Sequence, residues 1–288
     1  MIKGKAAYSM RKQLDEFIMS NKVGVALTFH SYKGGTGKTS LSVNIAAQMA
    51  INGKHVVIAD FDLRAPSLFS VFPRTPRGYV NDFLNGECDF NDVLVEVGDD
   101  LTSKSPEGRL RVALANPDST AIQHIQYQGR KWQYQALQRI LRMKKDLLME
   151  KDVDVLIFDT SPGINFMALN VLSVSDAIIL VSRTDENDIE GTRQLVLGTY
   201  SQLAKFGTFP LLVVNRAIVG TDQEVVRIGK IFSTEYDIPL VGSVACYCEV
   251  AAEGSRKIQV LKREGNGFVN SIRELVTEIE KRVGQNLR

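Results

Sequence analysis

The chain has 288 residues, 44% hydrophobic and 24% charged, with a formal net charge of +2. This composition excludes a low-complexity chain, leaves room for a sizeable core, and argues neither for nor against a nucleic-acid partner. The three cysteines make no disulfide framework, and no apolar run approaches the roughly 20 residues of a membrane span, so a cytoplasmic protein is expected.

In chain order, the first segment, MIKGKAAYSMRKQLDEF, is charged throughout and lacks the apolar centre of a signal peptide. Ala6, Met10, Leu14 and Phe17 share one helical face, which predicts a helical extension over residues 1–22 ahead of a main domain at 23–288. Seven short apolar runs follow: Val23 to Phe29, His55 to Asp60, Leu110 to Ala115, Val153 to Asp159, Ala177 to Ser182, Pro210 to Asn215 and Pro239 to Ala245. Longer helical patterns separate them, including Thr39 to Met49 and Gly129 to Lys145. Continuous apolar strands alternating with helices predict a doubly wound α/β domain. Its sheet is mostly parallel and covered on both faces, with ligands at the carboxyl ends of the strands. The 129–145 helix carries Arg130, Lys131, Arg139, Arg142, Lys144 and Lys145, a pattern that suits a solvated face better than a binding patch. At the far end, Phe268, Ile272, Leu275, Val276, Ile279 and Val283 form one apolar face beside Glu274, Glu278 and Glu280, as in a helix packed on a core.

Between the first strand and the first helix lies HSYKGGTGKTS, His30 to Ser40. Strand, glycine loop and helix are the setting of a phosphate-binding loop: the amides of Gly34, Gly35, Thr36, Gly37 and Lys38 can wrap phosphate oxygens. Lys38 supplies charge to the β- and γ-phosphates, and the Thr39 hydroxyl can ligate Mg²⁺. The usual pattern, however, has glycine where this chain has Tyr32, and it lacks a second lysine such as Lys33. KGGTGKT resembles the deviant Walker A motif of the MinD/ParA family of P-loop ATPases, in which the residue before the first lysine varies. That resemblance implies that Lys33 reaches across an ATP-dependent homodimer to the partner's nucleotide, while Lys38 and Ser40 serve their own. HVVIADFDLRAPSL is similar to the family's second acidic motif, implying that Asp62 orients the attacking water and Asp60 supports the Mg²⁺ shell. VDVLIFDTSPGIN is similar to its Walker B segment with Ser161 in place of a proline. By that likeness Asp159 holds Mg²⁺ through water, and Gly163 lies in the loop that senses the γ-phosphate. Asn215, at the end of PLLVVNR, resembles the residue that reads the adenine edge, with Arg216 beside it.

The resemblance runs from Val23 onward and implies slow, partner-stimulated ATP hydrolysis with ATP and Mg²⁺ as ligands, in a switch that positions or partitions cargo. GYVNDFLNGECDFNDVL (Gly78 to Leu94) looks like the helix-rich segment that follows the second acidic motif in MinD-like proteins. Other readings stay open: a nucleotide-gated scaffold with little hydrolysis, a tyrosine-kinase-like member, or an Mrp-like carrier. Against the last, Cys246-Tyr247-Cys248 has the wrong spacing for a C-x-x-C cluster pair. For a working surface, Arg256, Lys257, Lys262 and Arg263, together with the 130–145 helix, favour nonspecific DNA, and the acidic last helix disfavours a membrane.

Overall fold

The computed structural model describes residues 24–98, 105, 107–150, 153–204, 207–218, 220–253, 257–262 and 265–286. The expected helix over Ala6 to Ile18 lies outside them. The main elements are β1 (Val25–His30), α1 (Lys38–Ile51), β2 (His55–Phe61), α2 (Val80–Asn85), α3 (Phe90–Val93), β3 (Leu94–Glu96) and β4 (Arg109–Ala113). Then come α4 (Ser119–Gln126), α5 (Arg130–Glu150), β5 (Val155–Thr160), α6 (Phe166–Val174), β6 (Ala177–Ser182) and α7 (Glu186–Leu195). A π turn (Val196–Tyr200) extends α7, and β7 (Phe209–Ala217), α8 (Asp222–Tyr236), β8 (Leu240–Ala245) and α9 (Gly267–Asn286) complete the set.

The strands form one eight-stranded sheet in the order β3-β4-β2-β5-β1-β6-β7-β8. Every pairing is parallel except β3 with β4. All seven expected strands are present, displaced by up to two residues at their ends. The eighth, β3, has no counterpart among the expected strands: three residues are too short to show a period of two.

Alternation along the strands divides the core. Leu27, Phe29, Val56, Ile58, Ile157 and Ile179 face α1 and α9. Ala26, Val57, Ala59, Leu156 and Phe158 face the opposite side, against α2, α5 and α6. There Ile178, Leu180, Leu212 and Val214 continue toward α7 and α8. The six apolar residues read onto one face of α9 are all buried, so that face is consumed by the core. Among the described residues, no helix is long and apolar enough to cross a membrane.

Two expectations about basic residues are corrected. The α5 helix is not uniformly solvated: Lys144 is buried, donating to the Val174 carbonyl at 2.8 Å and pairing with Asp176. Arg139 is half-buried and donates to the Leu84 carbonyl at 2.8 Å. The helix is amphipathic and wide enough to cover the sheet, so Lys144 and Arg139 turn inward. Nor can α5 share a patch with the basic segment near residue 260. Val260 packs in the α1/α9 layer and α5 covers the other side of the sheet; Lys257 and Lys262 are exposed, while Arg256 and Arg263 lie outside the described residues.

Asp176 receives both Lys144 and the Ala26 amide, at 2.7 Å, and so ties α5 to the start of β1. Removing one partner of a buried pair leaves an uncompensated charge. Asp176→Ala is expected to cost about 3–5 kcal/mol in urea unfolding, and the double variant Lys144→Met/Asp176→Asn clearly less. Equal losses in both would show that the ion pair is not what holds this corner.

Candidate functional site

The carboxyl ends of β1, β2 and β5 converge on one cradle. Gly35 and Gly37 take φ of 77° and 91°, the left-handed region that glycine occupies without steric cost, and this turns the chain from β1 into α1. Gly37 is also tied to its residue type by crowding, since a Cβ there would stand 2.3 Å from Asn215 Nδ2. Gly37 caps α1 with no side-chain hydrogen bond, so the first amides of the helix are left for an anion.

Lys38 is 7% exposed, and its ammonium donates to Ser31 Oγ at 3.0 Å. Burial lowers its pKa, and the charges of Asp159, Asp62 and Asp188 pull the other way. Thr39 donates to Asp159 Oδ2 at 2.6 Å and lies 3.1 Å from Ser67 Oγ. Asp159 Oδ1, fully buried, has no hydrogen-bond partner. An orphaned carboxylate oxygen beside a threonine hydroxyl is an oxygen donor set that suits a hard divalent cation such as Mg²⁺.

Asp60 stands opposite Asp159 in the β2–β5 register. Its Oδ1 accepts the Asp62 amide at 3.0 Å, and its Oδ2 accepts those of Ser67 and Leu68 at 2.9 and 3.0 Å. These bonds make Asp60 the staple of the loop that carries Asp62. Asp62 is itself half-buried, accepts the Ala65 amide at 3.1 Å, and has its pKa raised by burial against the pull of Lys38.

Asn215 is buried and donates through Nδ2 to the Thr36 carbonyl at 2.7 Å, bracing the cradle from β7. Arg216 follows at φ 56°, exposed, with its Nε 3.7 Å from where a Gly37 Cβ would be. Lys33 and Ser40 are half-buried at the two ends of the loop. Gly163, φ 69°, donates its amide to the Ser31 carbonyl at 2.9 Å, fastening the post-β5 loop beneath the cradle. Cys246 and Cys248 are free and exposed just beyond β8, and among the described residues no group of three or more His, Cys, Asp or Glu could hold a metal ion.

Sequence reading missed Ser31, Ser67, His30 and Asp188. Ser31 and His30 adjoin the loop and could have been weighed by position alone. Asp188 sits among Asp185, Glu186 and Glu190, and only its burial singles it out, with Oδ1 unpartnered and Oδ2 accepting the Arg183 amide at 2.9 Å.

The sequence and the fold both have relatives among known proteins. A family model described as an AAA domain matches residues 25–205. An uncharacterized ATP-binding protein of Methanocaldococcus jannaschii is 27% identical over 229 residues, 78% of this chain and 76% of the relative. The sporulation initiation inhibitor protein Soj of Bacillus subtilis is 27% identical over 177 residues, 60% of this chain and 64% of Soj, so the match spans less than two thirds of that relative. The septum site-determining protein MinD of Pyrococcus horikoshii, solved with Mg-ADP, superposes with a TM-score of 0.70 over 91% of this chain and 98% of its own. Its 19% identity makes that a likeness of fold.

The electrostatics of the site lead to two expected outcomes. Were the cradle to hold ATP, Lys38→Ala would remove its buried ammonium, and ATP affinity measured by calorimetry should fall at least about tenfold, or 1.4 kcal/mol; near-normal binding would contradict the cradle. The second concerns the carboxylates. Burial first pushes Asp159 up to about 6, and burial with the neighbouring Asp159 charge pushes Asp60 up to about 8. Values raised on folding mean that stability is complete below about pH 4 and declines as pH rises through those values. In EDTA without nucleotide, Asp159→Asn should therefore stabilise the protein at pH 8, by on the order of 1–3 kcal/mol, and hardly at pH 4. An unchanged thermal midpoint at pH 8 would refute the strain assigned to this carboxylate.

Proposed function

The chain belongs to the AAA-domain family of MinD/ParA-type P-loop ATPases, and from that premise we propose that it is a slow, Mg²⁺-dependent ATPase that dimerises on binding ATP. In that cycle ATP closes a sandwich of two subunits and hydrolysis opens it, so the protein works as a switch that positions or partitions a cargo. The observation that carries this reading is the meeting of Lys38, Thr39, Asp159 and Asp62 around one cradle, with one carboxylate oxygen left unpartnered.

Phosphoryl transfer to water asks little covalent chemistry of a protein and much positioning. Here the amides of Gly34 to Lys38 would hold the phosphates, and Lys38 would leave Ser31 to face them. Lys33 would approach from the second subunit. Mg²⁺, held by Thr39 and by Asp159 through water, would neutralise charge developing between the β- and γ-phosphates. Asp60 supports that shell by stapling the loop of Asp62, and Asp62 accepts a hydrogen bond from the attacking water and so aligns it. Gly163 lies in the loop that would sense the γ-phosphate, its own amide being spent on the Ser31 carbonyl. Asn215 Nδ2 is spent on Thr36, so its carbonyl oxygen, an acceptor that suits an adenine amino group, is the part left to read the base, with Arg216 on the outer side. Ser40 completes the first turn of α1.

An activating protein partner fits so slow a site, and nonspecific DNA is the proposed working surface in preference to lipid, because the apolar face of α9 is buried. Exposed Lys257 and Lys262 would contribute to it.

Lys33 and Asp62 separate the two halves of the cycle. Lys33→Ala leaves the subunit's own cradle intact, so it should bind nucleotide yet elute as a monomer with ATP and Mg²⁺ in size-exclusion chromatography. Asp62→Ala keeps both lysines and loses water alignment, so a dimer should persist, with single-turnover hydrolysis slowed on the order of a hundredfold. A Lys33→Ala protein that dimerises normally would remove the trans-acting role from this lysine.

A further inference from the structure

The π turn and α7 grip the stretch that enters the cradle at two points. At the first, the two ring nitrogens of the fully buried His30 bridge Tyr200 and Gly163: Nε2 lies 2.9 Å from the Gly163 carbonyl and Nδ1 meets the Tyr200 hydroxyl. A carbonyl only accepts, so Nε2 carries the proton and Nδ1 accepts from Tyr200. Burial holds the imidazole neutral, with its pKa lowered to about 4. At the second point, the Tyr32 ring lies against the backbone of Gly191 in α7. A Cβ on Gly191 would stand 1.9 Å from Tyr32 Cδ1 and 2.0 Å from Cε1. Residues 191 and 200 would face about 180° apart on an uninterrupted helix; the extra residue of the π turn rotates the later residues back by about 100°, so both reach the exit of β1.

Gly191 is unexpected where it sits. It is buried inside a helix, where alanine would be the better helix former, and the ring above it is what excludes the methyl group. The Lys33 ammonium stands over that same ring, 5.7 Å from its centroid and within cation–π range. Lysine is a long, freely rotating side chain, and a loop of glycines does nothing to aim it. Tyr32 is 38% exposed, so the contact is only partly dried, in the weak range of cation–π pairs.

We propose that Tyr32, seated on Gly191, is a positioning residue for Lys33: it parks the ammonium over its ring in the nucleotide-free subunit and sets the direction from which it leaves toward phosphate. The parking is a statement about the free subunit; its use in catalysis rests on the trans-acting role proposed above. The His30–Tyr200 bond keeps the seat fixed relative to β1.

The test uses the full chain without nucleotide, following reductive methylation of Lys33 by peptide mass spectrometry. Gly191→Ala displaces the ring and Tyr32→Ala removes it, so each should speed labelling of Lys33 at least about threefold. The double variant should label no faster than Tyr32→Ala alone, because Gly191 acts only through the ring. Tyr32→Leu serves as the second variant should Gly191→Ala fail to fold. Labelling at the wild-type rate in the variants overturns the proposal. So does an effect of Gly191→Ala that persists when Tyr32 is already alanine. Single-turnover hydrolysis of the same proteins, with Lys33→Ala alongside, distinguishes the two readings. Faster labelling with a Lys33→Ala protein that still dimerises and hydrolyses normally leaves the parking standing and removes the catalytic use of the lysine.

Discussion

Two aspartates on neighbouring parallel strands, Asp60 and Asp159, stand in register at the carboxyl ends of β2 and β5, both fully buried. Two like charges taken out of water are costly unless something offsets them. The structure offsets neither fully: Asp60 accepts three backbone amides and so shapes the loop from Asp62 to Leu68, yet burial and the Asp159 charge still push its pKa up to about 8. Asp159 keeps an unpartnered oxygen, with the Thr39 hydroxyl, Lys38 and Ser42 favouring its charge against burial. In the proposed function, a phosphate-bound cation would relieve that cost on binding.

The rest of the fold keeps that arrangement from relaxing. A carboxylate buried at a strand end could escape by a shift of one residue, but the register of β2, β5 and β1 is held by alternating side chains that pack on both faces of the sheet. The cradle is braced from three directions: by Asn215 from β7, by Gly163 beneath it and by His30 at the end of β1. The π turn belongs to this bracing. Irregular helical turns carry a cost in hydrogen-bond geometry and persist where they place a particular side chain, here Tyr200 against His30.

The placement of charge has consequences away from the site as well. Lys144 and Asp176 spend a charged pair on joining α5 to the start of β1, opposite the cradle end of that strand. A cation used in this way is unavailable to any external partner. The basic surface is smaller than a count of lysines and arginines suggests, and it is divided between the two faces of the sheet.

By itself the sequence determined the strand order along the chain, the doubly wound class, the cradle and the acids at the strand ends. These are local: a continuous apolar run, a glycine loop at a strand-to-helix junction, and an aspartate closing an apolar strand each carry their meaning within a dozen residues. It could not show β3, whose three residues have no periodicity and take their conformation from β4. Nor could it show that Lys144 turns inward, that Asp60 is spent on backbone amides, or that Asp188 and His30 are buried beside the site. Gly191 and Tyr32 are 159 residues apart in the chain, and neither is informative until α7 is laid against the exit of β1. Those facts were decided by tertiary packing, because whether a charged or aromatic side chain meets water, a carbonyl or another ring depends on which distant element covers it, and one chain's local pattern holds no record of that cover.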